Sequence, residues 1–215
     1  MIREDLQHLK TNVEGRTVFI LGGGLSVTSA ILTSLNKPKV KVLALNSGFK
    51  WVQNPTAVLW CDHSWAGNNF DVLSRMACPI FAARTNIGRD HLIEDTRTVA
   101  NSTVLGISGK TGYDPNIDYV RGNNSGAYAI NLLVNCKAKN IILVGFDMRS
   151  DRGKAHFHDD YTYCVRGTVY KDLFIPCIES MYKEMKEMNV KVNIYNANSD
   201  SELKCFPFIN MDDFI

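Results

Sequence analysis

Along the chain, short apolar runs rich in β-branched residues alternate with polar, helix-compatible segments. Parallel strands covered by helices on both faces produce that alternation, so the pattern predicts an α/β fold. The expected strands are Thr17 to Leu21, Val40 to Leu45, Ala57 to Cys61, Ile80 to Ala83, Ser102 to Leu105, Asn140 to Val144 and Val190 to Tyr195. A helix is expected from Ser125 to Cys136, where Ala127, Ile130, Leu133 and Val134 share one face. A second runs from Leu173 to Met188 with Met181, Met185 and Met188 on its core side, and a third from Ser26 to Ser34, closing before Pro38. Two stretches break the rhythm. Residues 84–119 are punctuated by Gly88, Gly106, Gly109, Gly112 and Pro115, and residues 150–167 are polar and aromatic; both are candidate lids. No repeat or linker divides the chain, so residues 1–215 are read as one domain.

Composition narrows the class. At 215 residues, 45% hydrophobic and 21% charged, the chain is globular rather than disordered. Its net charge of +2 comes without a run of like charges, so nucleic acid is not indicated as a partner. No apolar run approaches the roughly 20 residues a bilayer requires, and Met1 to Lys10 mixes both signs of charge without a signal-peptide core. The expectation is a cytoplasmic protein with no membrane span. The six cysteines are widely spaced and read as reduced, mostly buried thiols.

The first strand runs into Gly22-Gly23-Gly24-Leu25-Ser26. Glycines let backbone N–H groups approach an anion, and a following helix N-terminus favours negative charge, so the turn is a candidate phosphate site. Ser26 can cap the helix or donate to a phosphate oxygen. The spacing matches neither the dinucleotide fingerprint nor the P-loop, and the bland alternative is a tight strand-to-helix turn. Other strands end in Asn46, in Asp62-His63-Ser64-Trp65 and in Gly145-Phe146-Asp147. In a parallel sheet these converge on the same edge as the glycines. Asn46 can bond a ribose or base; Asp62 and Asp147 can orient a hydroxyl, act as general base or hold a divalent cation, and all three can equally cap turns. Arg121-Gly122-Asn123-Asn124-Ser125-Gly126 opens the best helix and offers a second anion cradle, with Asn124 or Ser125 also eligible as its N-cap.

The segment Gly153 to Tyr161 packs His156, His158, Asp159 and Asp160 together. In an extended chain the two imidazoles face the same way, and either can serve as a general base or metal ligand. His63 is a lesser candidate; His8 and His91 read as solvated. Trp51, Trp60 and Trp65 lie near strand ends, where one can stack on a base or sugar and core filling is the plainer role. The tail Tyr195 to Ser201 follows a strand and either caps a base or sugar or forms a turn.

Ile20 to Ser26, Ala44 to Asn46, Asp62 with Trp65, Gly122 to Gly126, Leu143 to Met148 and the tail from Tyr195 to Pro207 together resemble the MptE-like 6-hydroxymethylpterin diphosphokinases. Their wider relatives include glycosyltransferase-like proteins of bacteria and phages and the sialyltransferases that use a CMP-sugar. The resemblance implies a Rossmann-like, mostly parallel sheet that binds a nucleotide or nucleotide-sugar at Gly22, Gly23, Gly24, Ser26, Asn46, Asp62 and Asn123 to Gly126. His156, His158 and Asp147 would then act on a small-molecule or glycan acceptor. It also implies a size like that of phage-encoded forms, which would place the protein in the host cytoplasm. Three functions compete: a glycosyltransferase-like transferase, a Mg²⁺-dependent diphosphokinase acting on an alcohol, and a non-catalytic nucleotide- or protein-binding module. A nicotinamide oxidoreductase fits worst, because Asn46 stands where an acidic residue would hold the ribose. The donor, a resident cofactor and the oligomeric state are left open.

Overall fold

The computed structural model describes residues 3–84, 102–151, 153–160 and 167–215. Among them, eight strands form one all-parallel sheet: β1 (Thr17–Leu21), β2 (Val42–Leu45), β3 (Ala57–Trp60), β4 (Ile80–Arg84), β5 (Ser102–Gly109), β6 (Tyr119–Arg121), β7 (Asn140–Val144) and β8 (Asn193–Asn196). Their spatial order is β6-β5-β4-β3-β2-β1-β7-β8. The helices are α1 (Glu4–Val13), α2 (Ser29–Leu35), α3 (His63–Asn68), α4 (Phe70–Leu73), α5 (Ser125–Asn135) and α6 (Ile175–Glu187), the last preceded by a π turn at Tyr170–Phe174.

Both faces of the sheet are covered, as the alternation of side chains along a strand requires. Val18, Ile20, Leu43, Leu59, Phe81, Ile141 and Leu143 face α1, α5 and α6. Their neighbours Phe19, Leu21, Val42, Ile142 and Val144 face Leu35 of α2, while Ala44, Val58, Trp60, Ile80 and Ala82 pack with Trp65 of α3 and Leu73 of α4. The chain is therefore an α/β protein with a Rossmann-like parallel sheet. No helix among the described residues is long and apolar enough to cross a membrane.

Several expected boundaries move, each for a local reason. The strand read from Val40 starts at Val42, because Lys39 takes a left-handed φ of 72° and the Val40 N–H donates to Lys37 O in a turn. The strand read from Val190 starts at Asn193, because the Val190 N–H still closes the end of α6 on Met185 O. The helix read from Ser26 starts at Ser29, where Thr28 caps it. Within the first candidate lid, residues 102–109 and 119–121 are sheet strands, and residues 85–101, with His91, lie outside the described residues. Met181 and Met185 are buried, but Met188 is exposed at the end of its helix. Trp60 and Trp65 fill the core, and Trp51 is exposed. The described cysteines are free thiols, buried or half-buried; Cys164 lies outside the described residues.

The strand order places the site. From β1 the sheet grows outward through β2 to β6, and the chain then returns to lay β7 on the other flank of β1. Beyond the carboxyl ends of β1 and β7 the connections leave in opposite directions and open a crevice, the usual ligand position in open α/β sheets.

Candidate functional site

A cavity of about 270 Å³ fills that crevice. It lies just below the usual range of small-molecule sites, roughly 300–1,000 Å³. Gly22, Gly23 and Gly24 after β1, Asn46 after β2, Asp62 after β3, Asp147 after β7, Asn123 to Gly126 at the start of α5, and His156 all line it. Of the residues singled out from the sequence, Ser26 and His158 stand behind this wall rather than in it.

The three glycines are required by packing. A Cβ on Gly22 would lie 2.9 Å from Gly145 O, one on Gly23 2.5 Å from His156 Nδ1, and one on Gly24 2.6 Å from both the Asp147 carboxyl and Gly145 O. The turn is pressed against the β7 loop on one side and the histidine segment on the other. Gly24→Ala is therefore expected to destabilise the fold by about 1–3 kcal/mol, the usual cost of overpacking. Gly67, in α3 with open space around its Cβ position, provides the contrast: Gly67→Ala should stabilise by roughly 0.5–1 kcal/mol. Urea denaturation of both variants checks the pair.

Asp147 organises the turn. It is buried; its Oδ2 accepts from the Ser26 N–H at 2.8 Å, and its Oδ1 accepts from the Ser26 hydroxyl and from Asn198 Nδ2 at 3.0 Å. Ser26 thus neither caps α2 nor offers its hydroxyl to the cavity, contrary to both sequence readings. A seven-residue α2 beginning at Ser29 also leaves no helix N-terminus at the glycines. Asp62 caps α3, accepting from the Trp65 N–H at 3.0 Å.

The helix N-terminus that does reach the cavity is that of α5. Asn124 is its N-cap, accepting from the Ala127 N–H at 2.9 Å, and Asn123 is braced by its Nδ2 bond to Leu173 O in the π turn. The next two amides, Ser125 and Gly126, are first-turn donors with no intrahelical acceptor. Gly126 is demanded by Phe146, whose ring carbon would sit 2.6 Å from a Cβ. Asn46 is held at a left-handed φ of 46°, and its Oδ1 is buried with no hydrogen-bond partner. Met148, also on the wall, has φ 54°. Left-handed non-glycine residues carry strain that tends to gather at ligand sites.

The histidine segment docks directly on the glycines. The Phe157 N–H donates to Gly23 O at 2.9 Å, and the His156 and His158 rings stack at 5.5 Å with 17° between their planes. The two imidazoles do share a side, but only His156 reaches the cavity. Burial lowers the pKa of His156 below the ordinary 6.5, opposed by a hydrogen bond with the Gly23 backbone. Burial also lowers that of His158, followed by the proximity of His156. Both rings are therefore neutral at pH 7. Below their unfolded value near 6.5 the unfolded chain binds more protons than the folded one. Their share of the stability is thus fully present above pH 6.5 and is lost as pH falls towards the folded pKa values. Chemical denaturation from pH 7.5 down to 5 should show this slope, and a His156→Gln/His158→Gln double variant should flatten it.

Cys61, Phe146, Met148, Arg149, Tyr170 and Phe174 also line the cavity and were not singled out from the sequence. The π turn that delivers Tyr170 and Phe174 has no simple sequence period, whereas the apolar Cys61 and Phe146 read as core. Burial, with Asp62 adding to it, pushes the Cys61 thiol up to about 11, so it is not a nucleophile at neutral pH. A divalent cation is poorly served. Asp147 is engaged by Ser26 and Asn198, Asp159 is exposed beside Lys154 at 3.2 Å, and no group of three His, Cys, Asp or Glu able to hold a metal occurs among the described residues.

No family model matches the chain. No curated protein matches it either. Among solved structures, one described as "putative fructose-1,6-biphosphate aldolase", from Coccidioides immitis, aligns with a TM-score of 0.30 and 10% identity, covering 89% of this chain and 70% of that one. A likeness at that level carries no argument about the site.

Proposed function

We propose that the protein is a transferase acting on a nucleotide-activated donor, in its most concrete form a glycosyltransferase with a nucleotide-sugar donor and a hydroxyl acceptor. The observation that carries this reading is the meeting, in one cavity at the β1/β7 switch point, of the first amides of α5, the orphaned Asn46 acceptor and a half-buried His156 whose pKa is lowered. The resemblance to nucleotide-using transferases supports it.

In this reading the donor phosphates lie on the Ser125 and Gly126 N–H groups, where the helix dipole favours negative charge. Asn46 Oδ1 accepts from an amino or hydroxyl group of the nucleoside. His156 keeps Nδ1 against Gly23, which leaves Nε2 to take the proton of the acceptor hydroxyl. The acceptor oxygen bonds to the anomeric carbon as the bond from that carbon to the phosphate oxygen breaks. The electron pair leaves with the phosphate, whose new charge the α5 amides stabilise. Asp147 touches none of the reacting atoms here; it positions the glycine turn.

Incubation with CMP-, UDP- and GDP-sugars and a panel of hydroxyl acceptors tests the proposal by the release of free nucleotide. Turnover with one nucleotide class is expected. Binding of a nucleotide without release from any donor would replace the transferase by a non-catalytic binding module.

A further inference from the structure

A second cavity, of about 740 Å³, opens at the opposite end of the sheet, before β2 and β3. Its wall carries Lys37, Lys39, Lys41 and His8, and among the described residues no Asp or Glu lines it. None of the three lysines forms an ion pair among the described residues. Lys41 is half-buried, its Nζ donating to Asn12 Oδ1 at 3.3 Å.

The frame around these cations is fixed. The Asn36 side chain donates to Leu32 O at 2.9 Å and Trp51 O at 3.0 Å and accepts from the Gln53 N–H at 2.7 Å. Thr56 Oγ1 accepts from the Val42 N–H at 3.1 Å. Lys39 is held in a left-handed conformation that lysine rarely adopts, directly after Pro38. Three like charges within five residues thus sit on a concave wall with no compensating carboxylate among the described residues. Such a wall concentrates positive potential, and its self-repulsion is relieved by an anion.

We infer that this cleft is a second ligand site, which takes a small molecule bearing two or more phosphate groups. The inference is independent of the function proposed for the first cavity. Its size accommodates a condensed phosphate or a nucleoside polyphosphate, and the phosphate chain is the part the lysines recognise.

The test is calorimetric titration of the full chain with tripolyphosphate and, separately, with ATP, at physiological salt, comparing wild type with K37Q/K39Q/K41Q. A K183Q/K186Q/K191Q variant, on α6 and just after it, removes the same three charges outside the cleft and controls for total charge. Lys37 and Lys39 are exposed and Lys41 gives up one long hydrogen bond to Asn12, so the substitutions are expected to leave the fold intact, which near-UV circular dichroism checks. Tripolyphosphate is expected to bind wild type and the control alike and to bind the triple variant at least roughly tenfold more weakly. A lysine-dependent ATP affinity equal to that of tripolyphosphate would assign recognition to the phosphate chain; a higher one would add the nucleoside. No binding of tripolyphosphate or ATP to wild type, or affinities unchanged in the triple variant, would overturn the site.

Discussion

Replacing Asp147 by alanine is expected to destabilise the protein by roughly 3 kcal/mol: the carboxylate accepts three hydrogen bonds, each worth about 1.5–3 kcal/mol, and water reaching the half-buried donors offsets part of their loss. In a chain of this length that corresponds to a fall in melting temperature of roughly 6–12 °C. The donors left behind are the Ser26 N–H and hydroxyl and the Asn198 amide, which between them tie the glycine turn and the C-terminal tail to the β7 loop. Ser26→Ala removes only the hydroxyl bond and should cost about 1.5 kcal/mol, the low end of that range. Asp147→Asn should fall between the two, since its NH2 group must face one of those donors. Thermal and urea denaturation of the three variants measures the series. Equal stability of Asp147→Ala and wild type would remove Asp147 from its positioning role.

His156→Gln is expected to lower kcat by about 10²–10⁴-fold, the usual contribution of a positioned general base, with little change in donor affinity. Glutamine keeps a polar group against Gly23 but cannot accept the proton. His158→Gln should have the smaller effect on kcat, because His158 lies behind His156 and does not line the cavity. The acid limb of kcat/KM should lie below pH 6.5, since burial lowers the His156 pKa. Unchanged turnover in His156→Gln would transfer the base role to another group.

The strands were legible because their β-branched runs are short, apolar and bounded by turn residues. The convergence of Gly22 to Gly24, Asn46, Asp62, Asn123 to Gly126 and Asp147 on one cavity followed from parallelism alone. Strand β6 was not legible: three residues, Tyr119–Arg121, carry too little pattern to stand out from the glycine-rich stretch around them. Helix α1 had a usable signal in Leu6, Leu9 and Val13, spaced three and four apart along one buried face. The start of α2 was misplaced because Ser26 looks like a cap. Its hydroxyl is instead claimed by Asp147, 121 positions away, a contact no local window contains. The different depths of His156 and His158 depend in the same way on where Gly23 lies, and the π turn that brings Tyr170 and Phe174 to the cavity has no periodicity to read.

The most direct measurement is the calorimetric affinity of CMP, UDP, GDP and their sugar conjugates for wild type and for Ser125→Pro. Proline at the first position of a helix removes one N–H while keeping the helix, and the extended Asn124 before it tolerates the ring. If the first amides of α5 hold the donor phosphates, one nucleotide class binds wild type, and Ser125→Pro weakens it roughly tenfold or more with the melting temperature little changed. No affinity for any of these nucleotides, or an affinity the proline leaves untouched, would contradict the placement of a nucleotide-activated donor in this cavity.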